Sequence, residues 1–489
     1  MNRHLILKSI LELSALVCLT ACQVTDTPLA ISRNENLQFD FKKIAENVLL
    51  PEGPLTFEDA AQIALTRNLD LQVKELEWEI QQEVATQEKL KMLPSLFVNA
   101  ERSHRTKNLA TTANSQLFGF IATPSTSVQK KVRRWDTTLT LSLLDFGISY
   151  YRSQAEQDRA LVAYFQYARL QNNLVLDVAK AYWKAIATRK AAEGAKDILV
   201  RSRQLQETLE KEYVNRIISA IQSLKGQDQM LSFQLRLVSY EDQYYSAMAE
   251  LAALMGMPAN ISFELADVQM EEPDVKLCID ELEQTALENR PELYGADLDE
   301  LVTLNEVRAA IVQLFPRADY FQGFHTNLDK FLIHHHWFIA GITVAWNLLG
   351  IPQQAVAVKG ATVKNEMSRR ARLALSVGII SQVRLAQLKY EETLELYRLN
   401  REANSVKQNL LYAAEKEFLY GEFPASEVLI YAEDALVGQI NEIQTYGDML
   451  ISLEQVNNAI GMPFFFNISN HDDQEVDDAD ELKCSKDNT

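Results

Sequence analysis

The chain contains itself twice, and no other feature constrains its fold as strongly. Ala64-Leu65-Thr66-Arg67-Asn68-Leu69-Asp70-Leu71 matches Ala286-Leu287-Glu288-Asn289-Arg290-Pro291-Glu292-Leu293. At the same offset, Leu93-Pro94 matches Phe315-Pro316. Trp135 opens an alternating segment, and so does Trp337. Gly256-Met257-Pro258 and Gly461-Met462-Pro463 are identical, with Tyr213 and Phe418 equally far upstream of them. Whatever architecture one half adopts, the other must adopt as well.

Each half reads as helix, strand, loop, strand, very long helix, turn, long helix. The first helices are expected over 57–92 and 279–314. Glu58 with Asp59, and Asp280 with Glu281, place acid at their starts, where the helix dipole favours it. Pro94 and Pro316 end them, because proline disfavours a helical residue before it. In the strand after Trp135, Thr137, Leu139, Leu141 and Leu143 share its face, and Asp136, Thr138, Thr140 and Ser142 take the other. Phe338, Ala340, Ile342, Val344 and Trp346 likewise share a face. Segments 95–103 and 317–325 are the expected partners. This alternation over about ten residues suits a strand with lipid on one side and water on the other; a half-buried soluble sheet shows it too. Trp135, Trp337 and Trp346 are the candidates for an aromatic belt at a membrane interface. The loop over 104–133 is long and rich in Thr, Ser and Asn. The one over 326–336 is short, and its His334-His335-His336 reads as an exposed polar stretch rather than a metal site.

The long helices carry the rest. Residues 150–213 hold no proline. Val175, Val178, Tyr182 and Ala185, and then Val383, Ala386, Tyr390, Thr393 and Tyr397, recur at coiled-coil spacing. Such a helix reaches on the order of 90–100 Å at 1.5 Å per residue, so it must lie against neighbours along its length. Return helices over 222–255 and 427–460 supply them, each stopped by its Gly-Met-Pro. The turns fall near Asn215–Ala220 and Tyr420–Ser426, where Gly421 and Pro424 suit a tight reversal.

Composition narrows the class. Only 16 Gly and 12 Pro in 489 residues favour long helices over an all-β sandwich. A net charge of −19 argues against nucleic acid as a partner. Arg3 and Lys8 precede the apolar Leu11–Ala21, interrupted by Glu12, so residues 1–21 read as a signal peptide. Leu19-Thr20-Ala21-Cys22 resembles a bacterial lipobox, which makes Cys22 the expected lipidation site. Gln23 in place of Asp after it suits an outer-membrane address. Cys278 and Cys484 are then left, and no spacing decides whether they pair. No later stretch of about 18 apolar residues follows, so any membrane-embedded part must be a closed β-barrel. No GxSxG, HExxH, Walker or GxGxxG pattern occurs, and no enzyme, metal or cofactor is expected.

The duplicated Ala-Leu helix with Asn-Leu-Asp-Leu or Arg-Pro-Glu-Leu, the Leu-Pro or Phe-Pro strand entry, the aromatic-led strand and the tip turns together resemble the TolC family of outer-membrane efflux proteins, over roughly residues 55–463. The resemblance implies an α+β membrane protein with an internal two-fold repeat: a trimeric 12-stranded β-barrel, four strands per protomer, continuous with a long periplasmic α-helical coiled-coil barrel. The expected divisions are a signal peptide 1–21, a lipid-anchored segment 22–54, a first repeat 55–258 with its hairpin at 95–144, a linker 259–278, a second repeat 279–463 with its hairpin at 317–346, and an acidic tail 464–489. The tail carries Asp472, Asp473, Glu475, Asp477, Asp478, Asp480 and Glu481 and is expected to be solvated.

The implied function is a passive exit duct in the cell outer membrane, serving a tripartite efflux pump or a type I secretion system. The implied partners are two further copies in a homotrimer, a periplasmic adaptor protein, an inner-membrane RND or ABC transporter, and outer-membrane lipid. Carried over, the adaptor-contacting tips are Arg216, Ile217, Ile218 and Ser219, and Gly421, Glu422, Phe423, Pro424, Ala425 and Ser426. Family members often close the duct with an acidic ring. The aligned position here is Ile430, a departure, so either the flanking Glu427 and Glu433 serve or an apolar ring at Ile430 closes by dewetting. The rival reading is a non-conducting periplasmic coiled-coil scaffold lipoprotein, which explains the helices and Cys22 but not strands at matched places.

Overall fold

The computed structural model describes residues 29–45, 53–112, 123–258, 263–273, 275, 277–421 and 425–462. Cys22, Glu422, Phe423, Pro424, Cys484 and the acidic tail lie outside the described residues. A first helix, α1 (Leu29–Ala45), precedes the two repeats. Then come α2 (Phe57–Arg67) and α3 (Leu69–Leu90), with α6 (Ile279–Asn289) and α7 (Pro291–Val312) as their counterparts. Thr56 caps α2 reciprocally: its Oγ1 accepts the Asp59 N–H at 3.2 Å, and the Asp59 carboxylate accepts the Thr56 N–H at 3.3 Å.

The single helices expected over 57–92 and 279–314 are each broken once. Asn68 takes extended backbone; its Oδ1 accepts the Leu71 N–H at 3.0 Å and its amide donates to the Leu254 carbonyl at 3.1 Å. Arg290, at the matching position, is pushed out of the helical region by Pro291. What sits in the notch is the end of each repeat. Gly256 and Gly461 adopt left-handed backbone with φ of 67° and 76°. A Cβ at Gly256 would stand 2.6 Å from the Arg67 carbonyl oxygen, and one at Gly461 2.9 Å from that of Asn289. Gly256 and Gly461 therefore seat backbone against backbone on the helix break of each repeat.

Four strands, β1 (Ser95–His104), β4 (Lys131–Ser142), β5 (Arg317–Asn327) and β6 (His336–Ala345), form one antiparallel sheet in the order β1-β4-β5-β6. β4 starts at Lys131, four residues before Trp135, and Leu143, expected on the strand, already belongs to the next helix. The long loop holds a small hairpin of β2 (Leu109–Thr111) and β3 (Ser125–Val128) that its Ser/Thr-rich composition did not announce. Asp329, buried in the short loop, ties the two loops together by accepting the Gln129 and Phe331 N–H groups at 3.1 and 3.0 Å.

Register assigns the faces. Ala100, Trp135 and Thr326 lie side by side, as do Val98, Thr137, Phe324 and Phe338, then Leu96, Leu139, Gln322 and Ala340. That is the apolar face. Glu101 with Arg134, and Asp136 with His325 and Trp337, lie on the other. Trp337 thus corrects one expectation. Its ring stacks on His325 at 5.8 Å on the polar face, one residue out of phase with Trp135, because the apolar stripe of β6 begins at Phe338. Trp135 and Trp346 are 57% and 56% exposed, and only Trp135 lies within a strand.

Ser142 caps α4 (Leu143–Val214), which runs 72 residues; α8 (Ile351–Leu419) runs 69. At 1.5 Å per residue each spans roughly 105 Å. α5 (Ala220–Leu254) and α9 (Ala425–Ile460) return alongside them. Val175, Val178, Tyr182 and Ala185 are buried, as are Val383, Ala386, Tyr390, Thr393 and Tyr397. The two seams meet in one core with Leu55, Leu71, Leu251 and Met449. Among the described residues no helix is long and apolar enough to cross a membrane. Cys278 is disulfide-bonded.

Candidate functional site

The site of interest is not a pocket but a pair of unfinished edges. α3 packs on α4, α4 on α7, and α7 on α8. Since α3 leads into β1, β4 into α4, α7 into β5 and β6 into α8, the helix order repeats the strand order. Both layers therefore end on the same two elements, α3–β1 at one side and β6–α8 at the other. Both sides are incomplete. β1 and β6 each have one row of backbone groups without a neighbouring strand among the described residues. Leu69, Val73, Leu76 and Ile80 form an exposed stripe on α3, and Val356, Val363 and Met367 one on α8. These steps of three, four and seven are those of a seam that awaits a partner helix.

At the far end from the sheet, two turns reverse the long helices. Ser219 caps α5 with Gln222 in a reciprocal box at 3.0 and 3.3 Å. Arg216 has φ of 62°, the one non-glycine residue in the left-handed region among the described residues, where the second turn uses Gly421 at 79°. Ile217 is 69% exposed, Leu419 81% and Tyr420 82%. Ile218 lies in the first turn, and Ala425 and Ser426 open α9. The described part of each tip thus exposes large apolar side chains, with Arg216 and Ser219 beside them in the first.

Just above the tips the expectation for Glu433 is corrected. It does not face open space. It is buried between helices, where Arg236 of α5 grips both carboxylate oxygens at 2.7 and 2.9 Å. Burial holds its carboxyl above the usual range, and the Arg236 hydrogen bond pulls it back. Ile430 is half-buried against Met230, Phe233 and Leu429, and Glu427 is exposed. Sequence reasoning missed Arg236 because its partner is 197 residues away on another helix. We expect Arg236→Ala to lower stability by about 1–3 kcal/mol, the cost of leaving a buried carboxylate without its cation, discounted because Arg236 is half exposed. Thermal denaturation should also find Arg236→Ala and Glu433→Ala together costing less than their sum; strict additivity would contradict the pairing.

On the polar face of the sheet, Asp136 meets the His325 ring nitrogen at 2.8 Å and Glu101 meets Arg134 at 3.5 Å. No group of three or more metal-binding side chains occurs among the described residues, and His334-His335-His336 forms none.

No protein-family model and no curated protein sequence matches the chain. Solved structures do. The outer membrane channel CmeC of Campylobacter jejuni superposes with a TM-score of 0.68 at 12% identity, over 83% of this chain and 85% of that one. VceC of Vibrio cholerae gives 0.66 at 14%, over 83% and 96%. The MtrE outer membrane channel of Neisseria gonorrhoeae, in its open state, gives 0.63 at 17%, over 83% and 89%. The chain has a TolC-like fold.

Proposed function

We propose that the chain is one protomer of a trimeric channel of the cell outer membrane, an exit duct for a tripartite efflux pump or a type I secretion system. One observation carries this reading: strands and helices end on the same flanks, so a single rotation completes both layers at once. Three copies give twelve strands with no free edge, the only form in which a sheet is tolerated in lipid. Four strands alone are too few to close. The apolar face with Trp135 then meets lipid and the polar face lines the lumen.

On this reading Cys22 anchors the chain by lipid, and the helical barrel hangs in the periplasm. The tips at Arg216–Ser219 and Gly421–Ser426 dock on a periplasmic adaptor, through which an RND or ABC transporter delivers cargo. Ile430 and Glu427 stand nearest the closing end. The purified full-length protein should run as a heat-resistant trimer and give stepwise conductance in planar bilayers. A stable, non-conducting species of other stoichiometry would leave the coiled-coil scaffold as the better reading.

A further inference from the structure

The apolar face of the sheet changes character at one end. Register places Arg102 of β1 directly beside Arg133 of β4, and His104 beside Lys131. All four are exposed and lie on the same face as Ala100 and Trp135, immediately beyond them on the loop side. Like charges directly opposite on neighbouring strands repel and destabilise the pair. Among the described residues no acid shares these two rows of β1 and β4. Among the described residues none of the four meets a carboxylate. The acids of these strands, Glu101, Asp136 and Asp319, all lie on the other face, held by Arg134, His325 and Arg317. Leu96, Leu141, Ala318 and Val344, at the helix end of the apolar face, carry no charge. The basic cluster is therefore one-sided in two senses: one face, one end.

We infer that Arg102, Arg133, Lys131 and His104 form a binding site for the phosphate groups of the phosphorylated glycolipid in the outer leaflet. This rests on the channel reading, which turns the apolar face to lipid and the loops outward. The chemistry then follows. A strip of apolar side chains holds the acyl chains, Trp135 marks the interface, and the cations stand at the height of the headgroups. Paired guanidinium groups offer forked donors that match phosphate oxygens. A phosphate seated between Arg102 and Arg133 converts their repulsion into two attractions. Free phosphate lacks the acyl chains, so lipid is the source that uses both halves of the surface.

The test is native mass spectrometry of the detergent-purified full-length protein with bis-phosphorylated lipid A. The wild-type trimer should retain lipid A, and enzymatically dephosphorylated lipid A should be retained at least about tenfold less, since charge-assisted contacts to phosphate are lost. Arg102→Gln with Arg133→Gln should show the same loss, while Arg134→Gln, at the same height on the opposite face, should keep the lipid. Millimolar inorganic phosphate should not displace it. Should the double variant fail to assemble, Lys131→Gln alone should lower retention about threefold, as expected for one cation of several. Equal retention of the dephosphorylated lipid, full retention by the variants, or displacement by inorganic phosphate overturns the inference. The channel reading is scored separately by wild-type conductance, so a conducting trimer indifferent to the phosphates overturns this inference alone.

Discussion

Gly461→Ala should be among the most damaging single-methyl changes in the chain. The residue sits at φ 76°, and an added Cβ would approach Arg290 Cα and the Asn289 carbonyl oxygen to 2.9 Å. Left-handed backbone costs an L-residue about 1–2 kcal/mol, and forcing packed backbone apart adds about 1–3 kcal/mol. The sum, roughly 2–5 kcal/mol, falls on the contact that joins the end of the repeat to its helix break. Gly256→Ala should behave alike, since its Cβ would meet the Arg67 carbonyl oxygen at 2.6 Å. Gly295→Ala is the control. It lies inside α7 with nothing within 4 Å of the added atom, and a helical Gly→Ala change gains up to about 1 kcal/mol. Melting temperatures of the three purified variants should therefore split in sign. A Gly461→Ala protein as stable as wild type would refute the backbone contact.

Glu454→Gln should stabilise the protein, by an amount that grows as pH rises above about 4.5 and levels off near neutrality. Burial, with Asn457 donating to it and Glu58 adding repulsion, pushes the Glu454 carboxyl from 4.5 up to about 7. Its folded value lies above the unfolded one, so the folded state binds the proton more tightly. Stability is then highest below pH 4.5, falls as pH rises towards about 7, and is flat beyond it. At 1.36 kcal/mol per pH unit the gap is worth roughly 3 kcal/mol. Glutamine keeps the hydrogen-bonding shape without the charge. Its advantage should be full at pH 8 and gone at pH 4, read as melting temperature against pH. Parallel profiles for the two proteins would place the titration elsewhere.

The parts of the fold legible in the sequence are those set by short-range pattern. The heptad seams at Val178 and Tyr390, the period-two strands and the glycine stops all follow from local spacing, and the duplication checks each against its twin. The break at Asn68 was readable in principle, because Asn is a good N-cap and its twin precedes a proline, but an uninterrupted apolar period masked it. Trp337 was misplaced because an aromatic beside a strand suggests a belt, whereas the face is set by the phase of the residues that follow. Glu433 was misread for a different reason. Whether an acid faces a lumen or a neighbouring helix depends on Arg236, and no spacing rule couples positions that far apart. The basic cluster at Arg102 and Arg133 likewise appears only once register sets the two strands side by side.

The central claim is that β1 and β6, edges in one protomer, are paired in the assembled protein. Backbone hydrogen exchange of the native, detergent-solubilised protein reads this directly, because unpaired edge amides exchange far faster than laddered ones. Protection along β1 and β6 equal to that of β4 and β5 is the predicted result. Fast exchange confined to β1 and β6, with the central strands protected, would mean an open sheet and no barrel.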